Sequence, residues 1–268
     1  MTEPRARLHA AAHSDVGPHR TVNQDAAFTA PWGAAVADGV GGGPAGDLAS
    51  AALVHAVAAS RPDGIEPAQL QTIVRLANWD LGAHVRRDPS LSGMATTFTG
   101  LFFSDHGELL LAHTGDSRAY LLREGVLEQQ SRDDSLVQAL VDQGIVTLED
   151  AATHPRRNII TASLSGADRD AATVAVQEAV VGDRWLLCSD GLSDYVPADE
   201  IRMRLQDHAD PAAAAAACVA IALEAGTRDN VTAVVCDVVA DVSSGGGRPQ
   251  ASFYGAAAAR FVEELDSA

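Results

Sequence analysis

Lysine is missing altogether: all 19 basic side chains among the 268 residues are arginine. The absence excludes every chemistry that needs a lysine amine, including a phosphate-loop lysine, the strand lysine of a kinase, a Schiff base and a pyridoxal attachment. Cysteine is scarce and odd in number, with Cys188, Cys218 and Cys236 far apart in apolar stretches. Such residues suit buried thiols of a reducing compartment better than a disulfide frame. Positive charge is short overall, with 36 acids against 19 bases and a formal net charge of −17. Nucleic acid is a poor partner for this chain, because counterion release needs clustered cations. Long apolar runs are lacking too. The longest, Ala212 to Leu223, falls short of a bilayer span and reads as a core helix. Thr2 to Asp15 has no apolar core of a signal peptide. The expectation is a cytoplasmic protein without membrane insertion.

What is present describes an ordinary globular chain, 47% hydrophobic and 21% charged, long enough to bury a substantial core. Its alanine-rich, lysine-free composition matches the codon bias of a GC-rich bacterial genome. Strand-like runs cover Ala26 to Thr29, Gly33 to Ala37, Ala95 to Ser104, Glu108 to His113, Ala119 to Arg123, Thr173 to Val176, Arg184 to Ser189 and Val231 to Val239. Asp105-His106-Gly107 and Glu124-Gly125 carry hairpin-turn chemistry, so the middle strands are antiparallel. Helical periodicity follows Pro44 and covers Glu66 to Arg87, Ser135 to Gln143, Ala198 to Gln206 and Pro211 to Ala225. Hairpins with long helices between them indicate an α+β fold rather than a parallel α/β sheet. One domain spans residues 1–240. Residues 241–250 form a flexible, glycine-rich linker. Residues 251–268 form a short helical tail, amphipathic because Phe253, Ala257, Phe261 and Leu265 recur every four residues.

The informative residues are four aspartates, each at the mouth of a turn beside an apolar run: Asp38, Asp116, Asp190 and Asp229. Singly, each reads as a solvated turn or a helix cap. Together they read as one pocket. Carboxylates about 4 Å apart repel by roughly 4 kcal/mol at an effective dielectric near 20. A cluster of that kind persists only if cations or protons neutralise it. With no His-x-His, His-Glu-x-x-His or paired-cysteine spacing, the ligands are all oxygen, which selects Mg2+ or Mn2+ over zinc. Arg20 adds a planar fork suited to a phosphate dianion.

Arg20-x-x-Asn23-Gln24-Asp25, Asp38-Gly39-Val40-Gly41-Gly42, Gly93-Met94-Ala95-Thr96-Thr97, Gly115-Asp116-Ser117-Arg118, Ser189-Asp190-Gly191-Leu192-Ser193-Asp194 and Arg228-Asp229-Asn230 occur in this order. The series closely resembles the metal-dependent Ser/Thr protein phosphatases of type 2C in their compact bacterial form. The resemblance runs from about His9 to Val239. It implies a four-layer α-β-β-α sandwich, two central antiparallel sheets flanked by helices. It also implies two or three Mn2+ or Mg2+ ions per chain. Asp38 would bridge two of them, with the Gly39 carbonyl on the second. Asp190 and Asp229 would complete the first metal's shell, and Asp116 with Asp190 would hold a third. Arg20 would bind the substrate phosphate, while Asp25 and Gln24 would stand behind the ligands. The implied reaction hydrolyses phosphoserine and phosphothreonine in proteins by in-line attack of a hydroxide lying between two metals. The implied partners are phosphoproteins, the targets of Ser/Thr kinases, met by a monomer. Gln24 stands where many members carry glutamate, and Val40 and Gly43 where animal members carry histidine. The segment from Ser131 to Gly166 resembles the family's substrate flap, with Asp134, Ser135 and Asn158 as its contacts. Asp134 replaces the usual histidine there, and Ala162 the usual arginine.

Three other readings compete. Gly41-x-Gly43-x-x-Gly46 fits a dinucleotide fingerprint, but the stretch before Asp63 is helical where a second strand is needed. A cysteine phosphatase needs arginine six positions after Cys188, where Asp194 stands. The serious alternative is a catalytically weak pseudophosphatase, a regulatory binding module with the same fold. Metal-dependent turnover separates it from an enzyme.

Overall fold

The structure is a computed structural model and describes residues 6–40, 45–241 and 250–260. Among these described residues eleven strands build two sheets, each antiparallel throughout. They are β1 (Ala6–Asp15), β2 (Asp25–Ala30), β3 (Gly33–Asp38), β4 (Phe98–Phe103), β5 (Leu109–Thr114), β6 (Arg118–Arg123), β7 (Val126–Gln129), β8 (Thr173–Gln177), β9 (Arg184–Cys188), β10 (Val231–Ala240) and β11 (Ser252–Gly255). One sheet has the order β1-β10-β9-β6-β7, the other β11-β2-β3-β4-β5-β8.

Side-chain alternation makes the four layers. Ala34 and Val36 of β3 and Trp185 and Leu187 of β9 face each other between the sheets, with Leu8, Leu101, Leu111 and Val234. Their neighbours point the other way. Ala35 and Ala37 meet helices α1 (Gly46–Ser60) and α2 (Pro67–Arg87). Leu186 and Cys188 meet α6 (Ala198–Asp207) and α7 (Pro211–Glu224). Both faces of each sheet are covered, which is why these strands read as continuous apolar runs although they pair antiparallel. The expected α-β-β-α sandwich is the observed fold. Among the described residues, shorter helices lie between: α3 (Leu136–Asp142), α4 (Leu148–Ala152) and α5 (Asp190–Ser193).

The strand ends differ from the sequence expectation where the apolar signal is weak. β1 pairs with β10 over ten residues, yet its inward positions after Leu8 are alanines between exposed histidines. β7 is a short, largely exposed edge strand. The run expected from Ala95 forms β4 only at Phe98, because Thr96 and Thr97 bond to Asp38 instead. The tail is the clearest correction. Ser252–Gly255 is a strand, β11, paired with β2, and helix begins only at Ala256. Phe253 takes its register from strand pairing, so its four-residue spacing to Ala257 does not mark one continuous helix face. Phe261 and Leu265, most of the linker and the turn Gly41–Gly43 lie outside the described residues.

Candidate active site

Five carboxylates gather at one rim of the sandwich because antiparallel pairing brings strand starts beside strand ends. Asp25 opens β2 and Asp38 closes β3, and the two are direct cross-strand partners. Asp116 sits in the turn between β5 and β6, Asp190 opens α5 after β9, and Asp229 precedes β10. Burial pushes Asp38 and Asp190 well above the ordinary carboxylate range. The neighbouring aspartates add repulsion at both: Asp25, Asp190, Asp116 and Asp229 act on Asp38. Asp116 is raised to about 7 and Asp25 to about 6, again chiefly by burial.

Hydroxyls and amides lock this rim in place. Thr97 Oγ1 accepts from the Asp38 N–H at 2.9 Å and lies 2.7 Å from Ser117 Oγ. The Asp38 carbonyl accepts from Thr96 Oγ1 and from the Thr97 N–H. Ser189 Oγ donates to Asp25 Oδ2 at 2.7 Å. Asn230 ties the turn before β10 to the β1–β2 connection, accepting from the Gln24 N–H and donating to the Val16 and Val22 carbonyls. The Gln24 carbonyl in turn accepts from the Gly39 N–H at 3.1 Å and from Ser50 Oγ at 2.6 Å. Gly39 lies so close to Gly46 that a Cβ would collide with the Gly46 carbonyl. Only glycine lets the chain close there.

The donor set fits a hard divalent cation. Asp25 Oδ1, Asp116 Oδ1 and Asp190 Oδ1 are buried and accept no hydrogen bond among the described residues. Buried carboxylate oxygens without donors are costly, and an oxygen-seeking cation removes that cost. Mn2+ or Mg2+ matches such a set, and a thiol-seeking metal does not.

Arg20 reaches this rim but is engaged there: its Nη2 donates to Asp229 Oδ2 at 2.8 Å. The flap residues are placed differently from one another. Asp134 ties the flap's stem to the Asp116 turn, its Oδ2 accepting from the Gly115 N–H and its own N–H donating to the Gly115 carbonyl. Ser135 caps α3 by accepting from the Gln138 N–H. Asn158 is exposed and makes no hydrogen bond among the described residues. Sequence reasoning passed over Asp194, Asp133 and Arg157, which line a cavity of about 240 Å3 beside Asp116. Arg157 Nε lies 3.6 Å from Asp194 Oδ2, and Arg118 holds Asp133 through two nitrogens. Asp194 was legible in principle: it follows Asp190 by four residues across α5, the spacing that stacks side chains on one helical face. Cys188 is fully buried and its thiol is pushed up to about 12, so it is no nucleophile.

A helix-flanked β-sandwich with buried aspartates gathered at one rim is a frame suited to holding divalent cations. The chain belongs to the Protein phosphatase 2C family, whose sequence model matches residues 17–218. It is 43% identical over 235 residues to the serine/threonine protein phosphatase PstP of Mycobacterium tuberculosis, covering 87% of this chain and 45% of that one. The chain thus spans about half the length of this relative. It is 32% identical over 210 residues to the serine/threonine phosphatase stp of Listeria monocytogenes, covering 75% of this chain and 82% of the relative. The solved catalytic domain of a phosphatase PstP in complex with two manganese ions shares the fold, with a TM-score of 0.80 at 42% identity over 87% of this chain and 99% of that one. Among the described residues no helix is long and apolar enough to cross a membrane.

Proposed function

We propose that this protein hydrolyses phosphoserine and phosphothreonine in proteins, using two or three Mn2+ or Mg2+ ions held by Asp38, the Gly39 carbonyl, Asp116, Asp190 and Asp229. When bound, the ions supply Lewis-acid charge and ionise a water for in-line attack on phosphorus. The rest is the work of this chain's residues. Asp38 pairs across the strands with Asp25 and feels the charges of Asp25, Asp190, Asp116 and Asp229. Asp25 is held by Ser189 behind Asp38, its cross-strand partner, and orders groups at the metal edge of the cluster. Arg20, at the solvent side of Asp229, offers its fork to the phosphoryl oxygens and holds the dianion in line. The products are a serine or threonine hydroxyl and inorganic phosphate. Val40 has no proton to give, so the departing oxygen takes its proton from water.

The observation that carries this reading is the set of buried carboxylate oxygens without donors, on Asp25 at the start of β2, Asp116 in the β5–β6 turn and Asp190 after β9. Kinase targets as substrates, a cytoplasmic setting and a monomeric state complete the proposal. Phosphate release from a phosphothreonine peptide, with and without Mn2+, beside the Asp38→Asn variant, tests it. Release that needs both the metal and Asp38 supports it. Folded, Mn2+-loaded protein that releases nothing would leave a binding module of the same fold.

A further inference from the structure

We propose that the C-terminal segment 251–260 is a strap that positions the carboxylate rim, with Arg260 as its anchoring residue, and that it thereby sets the affinity for divalent cations. The inference rests on the reading of the rim as a cation site.

The strap touches the rim from two sides. On the first, β11 lies along β2 with Gly255 opposite Ala26, the residue next to Asp25. Gly255 has φ +61°, and a Cβ on it would collide with the Asp25 carbonyl and crowd Ser14 Oγ. The chain therefore turns in direct contact with the Asp25 backbone, in a conformation that glycine adopts without strain. Past the turn, Ala256 and Ala257 are buried in the core against α1.

On the second side, the strap grips α1. The Phe253 ring lies 4.2 Å from the His55 ring, and His55 Nε2 is 2.8 Å from the Ala257 carbonyl. Arg260 Nη2 then reaches Asp47 Oδ2 at 2.5 Å. Asp47 lies in the first turn of α1, where a carboxylate also favours the helix N-terminus. That same turn carries Gly46, packed on Gly39, and Ser50, bonded to the Gln24 carbonyl that also holds the Gly39 N–H. Arg260 is thus tied through Asp47 to the backbone that fixes Asp38 and Gly39, while Gly255 abuts Asp25. Neither tie touches the reacting atoms. Arg260 acts on the site only through position.

Position and charge make opposite predictions for Arg260. Losing a cation from a strongly acidic chain, by charge alone, tightens Mn2+ binding, weakly and less at higher salt. Losing the anchor lets the first turn of α1 shift and weakens binding. Partners that orient metal ligands from behind commonly change metal affinity by about 10- to 100-fold.

The test is calorimetric titration of the full chain with Mn2+, in the wild type, Arg260→Ala, Asp47→Asn and the double variant, with metal-free melting alongside. The expected result is a dissociation constant raised about tenfold in Arg260→Ala and in Asp47→Asn, with the double variant no weaker than the singles. An unchanged or tighter constant in Arg260→Ala overturns the strap, even if the melting temperature falls. Should Arg260→Ala not fold, Arg260→Gln and Asp47→Asn carry the same comparison. A wild-type chain that binds no Mn2+ overturns the cation site itself, and that failure is distinct from the strap's.

Discussion

Arg20 and Asp229 form an ion pair of 2.8 Å, each about one-third exposed, at the solvent lip of the carboxylate rim. The residue proposed to hold phosphate is therefore oriented by a residue proposed to hold metal. The pair lies 209 positions apart in sequence, and β1 pairing with β10 brings the two together. Arg20→Ala is expected to raise KM for a phosphopeptide about tenfold or more, with a smaller fall in kcat. A charge-assisted hydrogen bond worth roughly 1.5–3 kcal/mol sets that scale. Arg20→Lys is expected to recover little, because an ammonium cannot match the planar fork. Steady-state kinetics in Mn2+ read both numbers, and a kcat loss with KM unchanged would move Arg20 out of phosphate binding.

Asp38→Asn should have effects of opposite sign on activity and on stability. Activity is expected to fall at least about a thousandfold, some 4 kcal/mol of barrier, because the charge at the centre of the rim is gone. The metal-free protein is expected to melt higher, since a carboxylate pushed up by burial and by its four neighbours is replaced with a neutral amide. Asp116→Asn is expected to cost less activity, because in the proposed arrangement Asp116 serves only the third ion. Melting in EDTA beside turnover in Mn2+ measures both. Wild-type rate in Asp38→Asn refutes the metal assignment.

Burial of these carboxylates, with their mutual repulsion added, gives a pH dependence with a definite sign. Asp25 at about 6 and Asp116 at about 7 lie above their ordinary value near 4. The folded, metal-free chain therefore binds more protons than the unfolded chain in between, so stability falls as pH rises. The contribution is fully present below about pH 4 and is lost as pH passes 6 to 7. In EDTA, the melting temperature is expected to decline from pH 5 to 8. With saturating Mn2+ the decline is expected to flatten, because the cation replaces the protons. Parallel curves with and without Mn2+ would count against cation binding at these carboxylates.

The sequence made the layers legible because both faces of each sheet are covered, and continuous apolar runs such as Leu109 to Ala112 or Trp185 to Cys188 follow from that. The hairpin at Glu124-Gly125 was equally plain, as both residues take positive φ. β1 was hidden because its partner strand, not its own composition, makes it a strand: small alanines fill the inward positions opposite β10. β11 was misread because an apolar spacing of four fits a helix until a long-range pairing with β2 overrides it. The carboxylates were found from their setting at strand mouths. Asp194 and Arg157 were not, since their meeting depends on how the flap folds back over α5.

Ser189 shows how tightly this rim is held. Its hydroxyl donates to Asp25 Oδ2 and accepts from the Thr232 N–H at 3.0 Å, bridging β2 and β10 in a fully buried position. Asp25 Oδ1 already lacks a donor, so removing the hydroxyl leaves both oxygens of a buried carboxylate poorly matched and one amide unpaired. Ser189→Ala is expected to destabilise the metal-free protein by about 1–3 kcal/mol, the cost of stranding such groups. The Asp25 carboxyl should then titrate still higher, because the strongest of the bonds that lower it is gone. Ser189→Thr, which keeps the hydroxyl, should lose less if the added methyl is accommodated. Chemical denaturation in EDTA checks the first effect, and carboxyl titration by NMR the second. A Ser189→Ala variant as stable as wild type would mean that water takes the hydroxyl's place, and the rim would then be wetter and less rigid than its hydrogen bonds imply.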